Sequence, residues 1–519
     1  MFRLSSEVGS LCPKCGERPR RKPGAPCNEC EQQRMRENRR SKRAVVRVPS
    51  IEEGGSRYNR VLNSKRYLIT SAQNATPVHA KFLAALKTAA KHLEAELVVV
   101  PIRYKNPTSI WSDKNESDDW WDASLTPYLF DQRRKLNQNL VLVADVRIQP
   151  TASSPLTGFE SLTGAESCII AHPKMQFRAV ASPTGKTPKV LCTTGSVTNR
   201  NFTSSKAGAL GKFHHYLGAL LVELDGKTFH LRQLNAHRTT GEFTDLNKIF
   251  TPTRVKKAPR ALAVSPGDLH HRFKDSDTIE TLFGPDGMVE VLQPKHVIFN
   301  DTLDGYSINP HHGGNPFIAV AKRNSGFGDV RQEVVDAIEF LKHIAKRCRV
   351  VVVPSNHDNF LSRWIVTSDW KQSPVNARFY LETALAMLNS TEMTSTGTRY
   401  ADPFKYWVDR LRGGSDILAL NIGQSFVLAG IENGLHGDRG PGGARGSLQN
   451  LSRLGSKVNS GHSHTPGIRD GHYQAGTSTK ELEYTIGSPS AWLNTSIVTY
   501  ASGARTLITS IGKKWRLAR

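Results

Sequence analysis

Ala261-Leu-Ala-Val-Ser-Pro-Gly-Asp-Leu-His270 is the stretch on which the reading of this chain turns: a short apolar run of strand type that closes on a Gly-Asp-x-His turn. The same grammar recurs downstream. His296-Val-Ile-Phe-Asn-Asp-Thr-Leu-Asp304 and Arg349-Val-Val-Val-Val-Pro-Ser-Asn-His-Asp358 are again apolar runs that end in Asn, Asp and His. Gly434-Leu435-His436 and Gly461-His462-Ser463-His464 complete five polar motifs in fixed order. Any one of them occurs by chance in a chain of this size. Five in order, mostly at the ends of strand-like runs, point to a single site.

The residue types fit one chemistry. Holding two divalent ions about 3.5–4 Å apart takes a carboxylate that touches both, with nitrogen and oxygen ligands completing each coordination sphere. Asp, His and Asn can supply these. Asp268 and His270 are one residue apart on a chain leaving a strand and can reach one ion from a turn, as can one or both histidines of the Gly-His-Ser-His segment.

At these residues the sequence resembles the calcineurin-like metallophosphoesterase superfamily, whose pattern is D-x-H, G-D-x-x-D, G-N-H-D/E, H and G-H-x-H. The resemblance covers the C-terminal half of the chain. It implies that Asp268, His270, Asp301 and His464 hold one metal and that Asp301, Asn356, His436 and His462 hold the other, with Asp301 as the bridge. It further implies that His357 is a catalytic histidine facing the scissile phosphate, oriented by Asp304. Two positions depart from the pattern: Asn300 and Ser355 stand where the family has glycine. The superfamily's nucleases imply Mn²⁺ as the working ion, and this imidazole-containing ligand set suits Mn²⁺, Fe²⁺ or Zn²⁺ better than Mg²⁺.

The N-terminus carries a second metal signature. Cys12-Pro-Lys-Cys15 and Cys27-Asn-Glu-Cys30 are two C-x-x-C knuckles, a spacing that closes a tetrahedral structural Zn²⁺ site. Metal binding would supply the folding energy that so small a segment lacks. Residues 1–47 hold thirteen basic and five acidic side chains, a third of a total net charge of +24. Clustered Arg and Lys gain affinity for polyanions by releasing counterions, so the expected partner is DNA. Arg34, Arg36, Arg39 and Arg40 in this arm, with Arg439 and Arg445 in the Gly-rich loop at 438–446, are the expected contacts.

At 519 residues two or three domains are expected. The predicted division is a zinc module with basic arm at 1–48, a linker at 49–59, an α/β domain at 60–250 and the phosphoesterase domain at 260–519. Tyr67-Leu-Ile-Thr70 and Leu97-Val-Val-Val-Pro-Ile102 flank a predicted helix from Val78 to Glu96, with Thr76 as its N-cap, which makes a β-α-β unit. Ser71-Ala-Gln-Asn74 reads as a turn, and Trp111, Trp120 and Trp121 as buried anchors rather than base-stacking groups. Asp225-Gly226 predicts a hairpin between two strands. Between the second and third motifs, Val334, Ile338, Leu341 and Ala345 make the stripe of a helix over 329–347. The fold class is therefore α/β (α+β), with a helix-flanked metallophosphoesterase β-sandwich as the resemblance implies.

No run is apolar for the eighteen or so residues that span a bilayer, and no apolar signal core follows Met1, so a cytoplasmic protein is expected. A two-metal phosphodiester hydrolase acting on DNA is the favoured reading. A tail containing Ser490-Ala-Trp-Leu-Asn-Thr-Ser496 is also similar to the family of phage pre-early DNA-transfer proteins, which implies a phage-encoded protein in the host cytoplasm, acting in DNA transfer or host DNA degradation. A protein or small-nucleotide phosphatase, and a non-catalytic zinc-containing DNA-binding protein, are the alternatives. Homo-oligomerisation and contact with other phage or host proteins stay open.

Overall fold

In a computed structural model, the structure describes residues 58–102, 120–183 and 185–518, together with residue 32. The four cysteines of the expected zinc module, Cys12, Cys15, Cys27 and Cys30, and the arginines Arg34, Arg36, Arg39 and Arg40 lie outside the described residues, as does Trp111. The described residues from 58 onward belong to one compact unit. Within this unit the architecture is mixed α/β, with several sheets flanked by helices.

The β-α-β unit read from the sequence is present. Arg66–Gln73 and Glu96–Ile102 pair in parallel, Tyr67 against Glu96 through Gln73 against Ile102, with helix Ala80–Leu93 between them. Its start differs from expectation. His79 caps the helix, its Nδ1 accepting from the Phe82 N–H at 3.1 Å, while Thr76 donates back to the Asn74 carbonyl. A turn ordered by Asn74 and Thr76 delays the helix by two residues. Trp121 is a buried anchor whose Nε1–H donates to the Ala72 carbonyl. The hairpin at Asp225-Gly226 joins Gly218–Asp225 to Thr228–Asn235. Gly226 sits at φ +59°, as a tight turn of this kind requires.

Two larger sheets position the site. One has six strands in the order Ile417–Ala419, Arg349–Val352, His296–Phe299, Ala263–Ser265, Thr495–Thr499, Arg505–Thr509. The first four run parallel. Val350, Val351 and Val352 are buried, as a strand covered on both faces demands. Helix Val330–Ala345 returns the chain between two of these strands. Asp329 caps it by accepting from the Gln332 N–H, and Val334, Ile338, Leu341 and Ile344 are buried in the main hydrophobic cluster.

The other sheet has ten strands, in the order Val427–Leu428, Ile431–Glu432, Lys457–Ser460, His472–Gln474, Gly467–Arg469, Phe177–Val180, Lys189–Thr193, Ser167–Ile170, Leu140–Val143, Arg133–Asn137. It is continuous across the boundary expected at 250–260. Gly467 and Ile468 pair with Arg178 and Phe177, and one core cluster mixes Leu142, Ile169 and Val222 with Ile468, Tyr473 and Ile497. No helix among the described residues is long and apolar enough to cross a membrane.

Candidate metal centre

Three of the motifs follow adjacent parallel strands of the six-stranded sheet: Asp268 follows Ala263–Ser265, Asp301 follows His296–Phe299, and Asn356 follows Arg349–Val352. The carboxyl ends of parallel strands are where an open α/β sheet collects its ligands. His436 and His462 arrive from the ten-stranded sheet, after Ile431–Glu432 and Lys457–Ser460. The site thus forms where the ends of the two sheets meet.

The chain pays a local strain to bring these side chains together. His270, Asp301, His462 and His464 all have left-handed φ, at +40°, +41°, +75° and +56°. A non-glycine residue there costs of order 1 kcal/mol, and such residues cluster at functional sites. Neither Asn300 nor Ser355 needs the left-handed region, which explains how both stand in for glycine. Ser355 adds something glycine cannot, since its Oγ accepts the Asp358 N–H at 3.1 Å. A Cβ at Gly461 would lie 2.0 Å from Asp268 Oδ1, so any other residue there would push that carboxylate from its place.

Asp268, His270, Asp301 and His464 form one group in which a ligand atom from each lies within 4.8 Å of the others, and all four are buried. His270 Nε2 is 3.0 Å from His464 Nε2 and 3.6 Å from Asp301 Oδ2, and His464 Nε2 is 3.3 Å from Asp268 Oδ2. Asp301, His436 and His462 form a second group. His436 Nε2 is 3.2 Å from Asp301 Oδ2, and the Asn356 Oδ1 lies 3.0 Å from that nitrogen and 3.1 Å from His462 Nδ1. Asp301 Oδ2 is therefore shared by both groups.

The donor set fits cations. Several imidazole nitrogens and carboxylate oxygens meet at contact distance, and a single ring proton can serve only one of the acceptors around it. Asp268 Oδ1 is buried with no hydrogen-bond partner at all. Oxygen and imidazole ligands in two groups joined by one carboxylate suit two divalent ions.

The electrostatics show how strongly these groups feel one another. Burial alone would raise the Asp301 carboxyl, but the imidazoles of His436 and His357 hold it well below the usual carboxylate range. Burial would likewise lower His436, and Asp301 overrides it, pushing the imidazole up to about 9. His270 and His462 are lowered, mainly by burial and then by a neighbouring imidazole, His357 and His436 respectively. Asp358 is pushed up to about 7 by burial and then by Asp301, while its Oδ1 accepts the Leu303 N–H.

His357 stands beside the two groups. Its ring lies 4.4 Å from that of His270, centroid to centroid, and it lines a cleft of about 540 Å³ together with Asp301, Asn356, His462 and His464. The expected link to Asp304 exists by a different atom. The Asp304 main-chain carbonyl accepts from His357 Nδ1 at 2.8 Å, whereas its carboxylate lies 3.2 Å from His270 Nδ1. Of the loop arginines, Arg445 lines the cleft and Arg439 pairs with Asp438 at 3.5 Å. Tyr484 and Trp492 also line it, and neither belongs to the five ligand motifs. Trp492 lies in the Ser490–Ser496 tail, whereas the only signal of Tyr484 in the sequence is aromatic character in a stretch without periodicity.

No family model matches the chain. It is 31% identical over 462 residues to Protein A1 of Escherichia phage T5, covering 86% of this chain and 82% of that protein. A crystal structure of Vps29 from Chaetomium thermophilum aligns at 11% identity with a TM-score of 0.19, over 37% of this chain and all of that one. Clustered Asp and His around a shared carboxylate form the centre of a metal-dependent phosphoesterase, and by its sequence the chain belongs to the family of Protein A1 of phage T5.

Proposed function

We propose that this protein is a two-metal phosphodiester hydrolase acting on DNA. The observation that carries the reading is the Asp301 carboxylate shared between two His/Asp groups, within a chain of net charge +24. A phosphatase for peptides or small nucleotides would use such a centre without needing that charge; a polyanionic substrate accounts for it.

Asp268, His270, Asp301 and His464 would hold one ion, and Asp301, Asn356, His436 and His462 the other, with Mn²⁺ first in order and Fe²⁺ or Zn²⁺ after it. When bound, the pair supplies Lewis acidity to the phosphate oxygens and acidifies the attacking water. The protein's own contribution to the leaving group is His357. A carbonyl can only accept, so Nδ1 carries the hydrogen in the contact with Asp304, and Nε2 is left for the substrate. Burial would lower this imidazole, but Asp301 and then Asp304 raise it, which favours the cation whose Nε2–H donates to the leaving oxygen. Asp304 is a positioning residue for both His357 and His270.

The arginines Arg34, Arg36, Arg39 and Arg40, with Arg439 and Arg445, would contact the phosphate backbone. Cys12, Cys15, Cys27 and Cys30 would close a structural zinc site in a module at 1–48. The 31% identity to a phage protein supports a phage-encoded protein; its DNA would then be met in an infected cell's cytoplasm, in DNA transfer or host DNA degradation.

Purified protein incubated with Mn²⁺ and, separately, plasmid DNA, a phosphopeptide and a cyclic nucleotide tests the assignment. Only the DNA should be consumed, and His357→Ala should abolish cleavage while retaining DNA binding. Turnover of the peptide or cyclic nucleotide with DNA left intact would overturn it.

A further inference from the structure

The cleft over the metal centre has an aromatic wall. Trp492 packs edge-on against His464, their centroids 4.1 Å apart at 77°, and Tyr484 packs on Trp492 at 5.8 Å and 72°. Both line the cleft together with His357 and Arg445.

The wall is fixed from behind. The Leu493 N–H donates to the His464 carbonyl, and the Thr477 N–H donates to the Leu493 carbonyl, so the main chain beside Trp492 is tied to a metal-ligand loop and to the strand approach at Gly476. A Cβ at Gly476 would come within 1.8 Å of the Leu493 oxygen, which shows how closely the two segments run. Tyr484 sits in the short turn Glu483–Thr485, closed by the Thr485 Oγ1–H donating to the Leu482 carbonyl and anchored by the buried Leu482. Yet Tyr484 itself is 65% exposed. A large aromatic on a braced turn, left open beside a phosphate-cleaving centre, is placed to receive a flat apolar surface.

Resting on the reading of this site as a DNA phosphodiesterase, the geometry points to Tyr484 and Trp492 as a stacking wall for the nucleobase next to the scissile phosphate, so that the strand entering the site is single. Within a duplex each base already has a neighbour on both faces; only an unstacked nucleotide offers a free face to Tyr484. Stacking of this kind is indifferent to sequence, because every base has a π face. Arg445, on the same cleft, is placed to meet the adjoining phosphate as the base settles on the wall. Tyr484 is thus a specificity residue for strand state and not a participant in bond breaking.

The test compares a labelled single-stranded oligonucleotide with the same strand annealed to its complement, using full-length protein with Mn²⁺. Wild type should consume the single strand faster. Tyr484→Ala should raise KM for the single strand by roughly tenfold with kcat little changed, and Tyr484→Phe should restore it. Tyr484→Leu, with similar reach and no π face, should behave as the Ala variant and serves if that variant folds poorly. As an independent readout, 2-aminopurine in the single strand should be quenched on binding to His357→Ala and not to the double variant with Tyr484→Ala. Faster cleavage of the duplex, or an unchanged KM in Tyr484→Ala, would sink the wall while leaving the phosphodiesterase standing. Failure of wild type to cleave any DNA would remove both.

Discussion

Arg232 and Asp301 are both buried charges in the same compact unit, and their surroundings differ in kind. Arg232 Nε and Nη2 meet both oxygens of Asp245 at 2.7 and 3.1 Å, and its Nη1 meets Glu223 at 2.7 Å. Each charge there has an opposite one in good geometry. Around Asp301, imidazoles crowd one another at 3 Å, Asp268 Oδ1 has no partner, and four residues hold left-handed backbone. A cluster satisfied by its own side chains stabilises a fold; one left incomplete and strained is completed by something that binds.

The comparison can be broken by substitution. The largest effect should come from Asp301→Ala, which removes the atom common to both groups. Activity should fall by about a thousandfold or more, several kcal/mol of transition-state stabilisation. Metal content by atomic emission should fall with it while the thermal midpoint of the metal-free protein holds or rises. Retention of both ions would refute the sharing of Asp301.

Arg232→Ala should do the reverse. It strands Glu223 and Asp245 without a cation and should cost about 3–5 kcal/mol in denaturant unfolding, with metal stoichiometry intact in the protein that folds. A loss below 1 kcal/mol would mean that the triad is not a stabilising unit.

Metal addition should separate the two clusters next. Saturating Mn²⁺ at a hundred times its Kd should stabilise the wild type by about 2.7 kcal/mol, an effect reversed by chelator and absent in Asp301→Ala. Calorimetry with and without chelator measures it directly. The smallest effect concerns pH. Burial alone would raise Glu223, but Arg232 outweighs it and holds the carboxyl below its usual range. A lowered folded value means that its stabilisation is present above the unfolded pKa of about 4.3 and is lost as pH falls through the folded one. Glu223→Gln should flatten stability across that acid window, and an unchanged acid limb would show that other carboxylates dominate.

Much of this was legible because the ligands sit at strand ends. A run such as Arg349-Val-Val-Val-Val353 announces a buried parallel strand, and the polar residues after it must lie near its carboxyl end. The helix over Val330–Ala345 and the hairpin at Gly226 follow from periodicity and turn chemistry in the same way. What the sequence concealed depends on chain returns. The Asp304 carboxylate faces His270 while its carbonyl holds His357, a division set by backbone geometry that no motif spacing encodes. His79 caps the helix in place of Thr76 because the Thr76 hydroxyl is committed to the Asn74 carbonyl two residues upstream. Tyr484 reaches the cleft from a turn 20 residues past the last histidine motif, without a spacing partner to mark it.

The pairing of Gly467 and Ile468 with Arg178 and Phe177 carries a consequence for how such a protein can be inherited or cut. A gene fragment beginning near residue 260 would encode every proposed catalytic ligand and still leave the Gly467–Arg469 strand with a bare edge, an invitation to aggregate. The hydrolytic half therefore cannot be shuffled as a free cassette. Recombination that exchanges it must carry the upstream strands too, or happen at points outside the shared sheet.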